Sequence, residues 1–144
     1  MEYQNPAEER LKAENLTCAV WKDDLLYIRD GIGVKPLMAL LQEDRRFFEG
    51  AYVADKVIGK AAALLILYGG GARAVYGGVM SDTAAHLLEE RGVPFRWGER
   101  VPFIKNRTET GMCPLEEAVK EITEPEEAYE ALCKRIAELM ATKK

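Results

Sequence analysis

The sequence predicts a single α/β domain built on a mixed sheet, and three observations lead to this fold class. Strand-like segments alternate with helical segments along the chain, which is typical of right-handed crossovers between parallel strands. Two early strand segments are separated only by Asp23 and Asp24, which predicts an N-terminal β-hairpin. No linker or internal repeat divides the 144 residues, a length that suits one domain with a substantial core.

The N-terminal part is predicted to form a helix, the hairpin and a second helix. Asn5 and Pro6 are typical of a helix start, as the cap and a first-turn residue. Apolar and polar residues alternate in the first hairpin strand, as expected of a half-buried strand. The predicted segments are a helix from residue 5, strands at 16–20 and 25–28, and a helix that begins at Lys35 and Pro36.

The middle of the chain is predicted to continue the alternation around one deeply buried helix. Residues 61–68 are apolar on nearly every helical face, which indicates burial on most sides, and three glycines at 69–71 end the helix. The predicted segments are a strand at 51–54, a helix at 55–68, a strand at 74–76, a helix capped by Ser81 that runs to residue 91, and a strand at 93–97.

The last part is predicted to be a loop and helix extension of the same domain. A polar loop occupies 99–111, a helix begins at Pro114, and a second helix follows Pro125. The apolar residues of this second helix recur at helical spacing, so one face is expected to pack on the domain.

Composition and charge exclude several classes of protein. A net charge of −4 gives no reason to expect a nucleic-acid partner, because phosphate backbones attract clustered lysine and arginine. No apolar run approaches the roughly 18 residues of a membrane span, and the polar N-terminus does not resemble a signal peptide. Three widely spaced cysteines predict free thiols in a reducing compartment, hence a cytoplasmic location. The oligomeric state stays open, and a homo-oligomer is compatible with all of this.

Three motifs resemble those of an uncharacterised prokaryotic domain-of-unknown-function family with a cytidine-deaminase-like fold. They are GIGVKP at 31–36, VADKVIGKAAA at 53–63, and NR at 106–107 with TGMCPLEEAV at 110–119. The resemblance runs from about residue 16 to residue 129. It implies a three-layer α/β/α sandwich, with parallel strands after the hairpin, and a site near the first two helix starts. It implies no particular reaction.

The helix starts lack the residues that a zinc deaminase needs. Such enzymes bind zinc through His-x-Glu and Pro-Cys-x-x-Cys motifs at two helix N-termini. Here the corresponding segments begin with Val34-Lys35-Pro36 and Asp55-Lys56-Val57, and the only histidine, His86, is predicted in mid-helix. We therefore expect no metal and no cofactor. A divergent deaminase with unusual zinc ligation is the least favoured alternative.

The residues at these starts instead predict a site for an anion. Lys35 and Lys56 are predicted in first turns and Lys60 one turn further on, where backbone N–H groups also attract phosphate or carboxylate. Asp55 is predicted to be an N-cap, with a second role as general base. Gly33, in the first motif, is also assigned to ligand binding. The alternative is that the lysines are solvated and Asp55 only caps its helix.

The third motif adds a thiol and a polar loop to this site. Cys113 is predicted at the N-cap of the helix that begins with Pro114, where the helix dipole lowers a thiol pKa, so it is the candidate nucleophile. Arg107 would clamp a phosphate or carboxylate, and Asn106 lies beside it. The alternative is that Cys113 is only a structural cap. No histidine is predicted nearby to act as its base. Cys18 and Cys133 are predicted to pack in the core.

The sequence thus supports two main hypotheses. The first is a metal-free, deaminase-like site that binds a small anionic metabolite, such as a nucleotide or phosphorylated compound, with chemistry at Cys113 left open. The second is a non-catalytic ligand sensor or protein-interaction module.

Overall fold

The structure is a computed structural model that describes residues 5–29, 34–104 and 114–141. Within these ranges the helices and strands alternate after an initial strand pair. The elements are α1 Pro6–Ala13, β1 Cys18–Lys22, β2 Leu25–Arg29, α2 Lys35–Glu43, β3 Tyr52–Ile58, α3 Lys60–Tyr68, β4 Ala74–Ser81, α4 Asp82–Glu90, β5 Phe95–Val101, α5 Pro114–Ala118 and α6 Pro125–Ala141.

The five strands form one mixed sheet in the order β2-β1-β3-β4-β5. Strand β1 is antiparallel to both of its neighbours, whereas β3, β4 and β5 are parallel. Asp23 and Asp24 join β1 to β2 with positive φ angles of 52° and 63°, a conformation that aspartate tolerates in tight turns. It follows that β2, β3, β4 and β5 all run in the same direction. We call the side of the sheet where these four strands end the carboxyl edge.

Helices cover both faces of the sheet, because neighbouring residues of a strand point to opposite sides. On one face α1 buries Ala7 and Leu11 against Ala19, Ala54 and Tyr76. The other face carries the larger core, to which α2, α3, α4 and α6 contribute apolar residues.

Helix α3 is at the centre of the larger core, as predicted. Six of its nine residues are buried, from Ala61 to Ile66, and it contacts α2, α4 and α6. A helix that is surrounded on most sides has no polar face, which explains the apolar run in the sequence. The predicted caps of two other helices are also confirmed: Asn5 accepts hydrogen bonds from the amides of Ala7 and Glu8, and Ser81 accepts one from Ala84.

The predicted start of α3 was wrong. The sequence suggested a helix from residue 55, but β3 continues through Val57 and Ile58, which pair with Val79 and Met80 of β4. Gly59 is the N-cap, and the helix begins at Lys60. The β-branched residues at 57 and 58 favour a strand, and a parallel partner is available for them.

The C-terminal part belongs to the same core. Ala128 and Leu132 of α6 are fully buried in the cluster that contains α3. Strand β5 continues to Val101, so it extends past the predicted end at residue 97. Across the described ranges, none of the helices combines the length and apolarity that a membrane crossing would require.

Candidate functional site

Asp55 lies in the middle of a row of residues that crosses the sheet near the carboxyl edge. Its register partner on β1 is Cys18, whose partner on β2 is Arg29. On the other side Asp55 is paired with Gly77 of β4, which has no side chain to offer. Residues in register share a face of the sheet, so Arg29, Cys18 and Asp55 lie side by side. The structure thus places an acid, a thiol and a guanidinium on three adjacent strands.

The carboxyl group of Asp55 is buried and only half satisfied. The residue is 3% exposed. Its Oδ1 accepts a hydrogen bond from the Val57 amide at 3.1 Å, whereas its Oδ2 has no partner among the described residues. Burial raises the pKa of Asp55 to about 7, although the neighbouring Val57 amide, Cys18 thiol and Lys56 amide oppose this effect. Asp55 can therefore gain or lose a proton near neutral pH.

The prediction that Asp55 is an N-cap was wrong. It is the fourth residue of β3, and the cap position of α3 belongs to Gly59. Because the capping role is absent, the burial of this carboxyl group is not explained by helix formation. A charged group in a strand interior is costly unless it is paired or neutralised, and this cost is what raises the pKa of Asp55.

Cys18 is a neighbour of Asp55 that the sequence analysis assigned to core packing alone. The residue is fully buried, and burial together with the charge of Asp55 holds the pKa of its thiol well above the ordinary value. The thiol therefore stays protonated at neutral pH. The only local signal was an aspartate within an apolar strand, and the identity of its cross-strand partner depends on a register that the sequence does not reveal.

The three predicted lysines lie on three different elements, α2, β3 and α3. Lys35 is exposed at the first position of α2, whose N-cap Val34 supplies no side-chain hydrogen bond in the described part of the chain. Lys56 is exposed on β3. The expectation that Lys56 lies in a helical first turn was therefore wrong.

Lys60 opens α3, and its ammonium group is already engaged. Its Nζ donates a hydrogen bond to the Lys120 carbonyl oxygen at 2.8 Å, just after α5. Partial burial lowers the pKa of Lys60, while Glu116 and Glu121 oppose that shift. Lys60 was predicted one turn inside the helix, but it is the first residue of α3, directly after the cap at Gly59.

The N-terminus of α3 holds a carboxylate that belongs to the chain itself. Glu116 of α5 accepts hydrogen bonds from the amides of Lys60 and Ala61, one at each oxygen and both at 2.8 Å. Glu116 is buried, which raises its pKa, while these two bonds and the charge of Lys60 oppose the shift. A Cβ on Gly59 would lie 2.5 Å from Glu116 Oε1, so a side chain at this position would force the carboxylate to move. The predicted anion preference of this helix start is met internally.

Other predicted site residues fall outside the described ranges. They are Gly33, Asn106, Arg107 and Cys113. Their roles stay predictions. Among the described residues, no three histidine, cysteine, aspartate or glutamate side chains are grouped as metal ligands would be. His86 is exposed on α4.

An open groove of about 400 Å³ lies between α2 and α6, apart from the row around Asp55. It is lined mainly by apolar side chains, among them Met38, Ile136 and Met140, with Lys35 at its border. Lys35, the first residue of α2, therefore also lines this groove.

Comparison with known proteins places these features in a family. Residues 6–136 match a family described as a domain of unknown function, DUF1893. The crystal structure of a DUF1893 family protein (TM1506) from Thermotoga maritima superimposes with a TM-score of 0.79 and is 28% identical in sequence. The match covers 88% of this chain and 85% of that one. Among curated proteins, none matches significantly.

Proposed function

The chain belongs to the DUF1893 family, and since the family description names no activity, we propose a function from the geometry of the site. The proposal is that the protein binds a small anionic metabolite at the carboxyl edge, with Asp55 as the proton-exchanging group and without a metal ion. In open α/β sheets ligands bind beyond the carboxyl ends of the strands, which supports this location. The order of the elements supports a cytidine-deaminase-like scaffold as part of the proposal.

The state of Asp55 is the observation that carries this proposal. Buried carboxyl groups are normally paired or fully hydrogen bonded, because an unsatisfied polar atom costs stability. Asp55 keeps one oxygen without a partner among the described residues and has a pKa of about 7. A group with these properties costs stability in the free protein and is useful when a ligand completes its hydrogen bonds.

The anionic part of the ligand is assigned to the start of α2. The first-turn amides of α3 already bind Glu116, so an external anion would have to displace a buried carboxylate there. The start of α2 offers Lys35 and a cap position without a side-chain acceptor in the described residues. Lys60 adds positive charge at the same edge. Lys56, exposed on β3, has no direct role in this proposal.

The residues outside the described ranges complete the proposal. Arg107 and Asn106 would add polar contacts to the anion, and Gly33 would let the ligand approach the backbone ahead of α2. Cys113 is the candidate nucleophile, with Asp55 as proton carrier. The sensor hypothesis uses the same contacts without a reaction at Cys113.

The experiment is to measure melting temperature in inorganic phosphate and in nucleoside monophosphates. A ligand that binds only the native state raises the melting temperature, by an amount that corresponds to about 2.7 kcal/mol at 100 times its Kd. We expect an increase for the native chain, a smaller one for Lys35→Ala, and an unchanged one for Lys134→Ala, an exposed lysine on α6.

Sodium chloride at matched ionic strength separates specific binding from general screening. The proposal fails if the melting temperature in phosphate or nucleotides equals that in sodium chloride at the same ionic strength. The assignment of the anion to the start of α2 fails if Lys35→Ala shows the same increase in melting temperature as the native chain.

A further inference from the structure

We propose that Cys18 is a positioning residue for Asp55, with its thiol holding the buried carboxyl group in place from the neighbouring strand. This inference rests on the proposed function of the Asp55 site and adds to it a second partner on the neighbouring strand. The two residues are far apart in sequence and are brought together by the antiparallel pairing of β1 and β3.

The first step of the argument is the geometry of the pair. Cys18 and Asp55 are opposite each other in the β1–β3 register, so their side chains lie on the same face. Both are buried, at 0% and 3% exposure. The Val57 amide fixes Oδ1 of Asp55 at 3.1 Å. The thiol is thus the polar group that borders the carboxyl from the β1 side.

The second step concerns the strength of the contact. A thiol is a weak donor, so it can orient a carboxyl group without tying up an oxygen as firmly as a hydroxyl or an amide would. This agrees with an Oδ2 that lacks a full hydrogen bond within the described chain. Each group alters the pKa of the other, since Cys18 lowers that of Asp55 and Asp55 raises that of Cys18.

The third step is to identify the other charges that face the pair. Arg29, next in the row on β2, lowers the pKa of Cys18 through its positive charge and also donates to Glu43 at 3.0 Å. On the β4 side Gly77 contributes no side chain. From the helices packed on this face, Lys60 and Glu116 lie at the start of α3 and are bonded to the chain itself. The thiol is therefore the neighbour whose replacement should act most directly on Asp55.

The test is to follow the titration of the Asp55 carboxyl carbon by NMR in Cys18→Ser and Cys18→Ala. A hydroxyl is a stronger donor and favours the ionised carboxyl, so Cys18→Ser should lower the pKa of Asp55. Removal of the donor in Cys18→Ala should raise it, with shifts on the order of one pH unit. Cys133→Ser, on α6, should leave the titration unchanged. A merely structural role for Cys18 would not shift Asp55 in opposite directions.

A reciprocal measurement covers the case in which Cys18 variants do not fold. In Asp55→Asn the negative charge is lost, so the Cys18 thiol should titrate at a lower pH, observed at the Cys18 β-carbon. The inference is overturned if the pKa of Asp55 is the same in the native chain and in both Cys18 variants. It is also overturned if the pKa of Cys18 is unchanged in Asp55→Asn. These readouts use no ligand, so failure of the proposed function would appear separately, as a melting temperature that phosphate does not change.

Discussion

At the scale of single residues, Asp55 is the group whose environment differs most from what its chemistry prefers. An aspartate in water ionises near pH 4, but the buried strand around Asp55 offers its carboxyl one amide from Val57 and one weak thiol neighbour. Burial therefore dominates, and the folded chain holds the proton more tightly than the unfolded chain does. The same imbalance makes the ionised form of the residue costly to the folded protein.

This imbalance predicts how stability depends on pH. Because the pKa of Asp55 is about 7 in the folded chain, against an ordinary value of 3.8, the folded chain alone retains the proton between these values. The free energy of unfolding should therefore fall as pH rises from about 4 to about 7, and then level off. The full effect of Asp55 is on the order of 4 kcal/mol.

Urea unfolding of the native chain and of Asp55→Asn, measured from pH 4 to pH 8, checks this prediction. The variant is neutral at position 55 throughout. Its free energy of unfolding should therefore increase relative to that of the native chain as pH rises. Asp24→Asn, in the exposed turn between β1 and β2, is the control and should keep the native slope. Parallel stability curves for the native chain and Asp55→Asn would contradict the assignment.

At the scale of elements, α3 and the segment around α5 are joined by two reciprocal contacts. Glu116 places a carboxylate on the positive end of α3, and Lys60 of α3 donates to the carbonyl of Lys120 beyond α5. Both contacts match the direction of the helix dipoles. Gly59 permits the closest approach, because any side chain there would occupy the space of the Glu116 carboxylate.

A double-mutant cycle tests whether Gly59 is required by Glu116. Gly59→Ala should cost about 1–3 kcal/mol in the native background, because the added methyl displaces the carboxylate. In a Glu116→Ala background the methyl has room, so the two changes should couple by at least about 1 kcal/mol. The backbone of Gly59, with φ of −102°, allows alanine, so strain at this residue does not enter.

Chemical unfolding of the two single variants and the double variant supplies the cycle, and Glu117→Ala, an exposed neighbour on α5, is the control. Additive losses would mean that Glu116 and Gly59 do not meet as described. Hydrogen exchange at the amides of Lys60 and Ala61 should become faster in Glu116→Ala and stay slow in Glu117→Ala.

At the scale of the whole molecule, the sequence predicted the order of the elements because each has a strong local signal. The apolar run of α3, the caps at Asn5 and Ser81 and the stripe of α6 are all set by neighbours within a few residues. The limits of β3 and β5 were not predicted, because strands extend as far as a distant partner allows. Val57 and Ile58 continue β3 only because β4 lies beside them.

For the candidate site, the sequence likewise predicted some residues but not their partners. Sequence motifs singled out Asp55, Lys35 and Lys60, which all lie at or near the carboxyl edge. The partners that decide their chemistry, Cys18 beside Asp55 and Glu116 on α3, come from long-range register and packing. Neither contact can be recognised from the local sequence. The sequence therefore predicted an external anion at the start of α3, whereas the Glu116 carboxylate of the chain itself binds there.

The most direct test of this account is the pKa of the Asp55 carboxyl group in the native chain, measured by carbon NMR from pH 3 to pH 9 with and without phosphate. The account predicts a midpoint near 7 that rises further in phosphate, because an anion bound at the same edge disfavours the ionised carboxyl. A midpoint near 4 that phosphate does not change would show an ordinary solvated carboxylate and would remove the basis for a site at this edge.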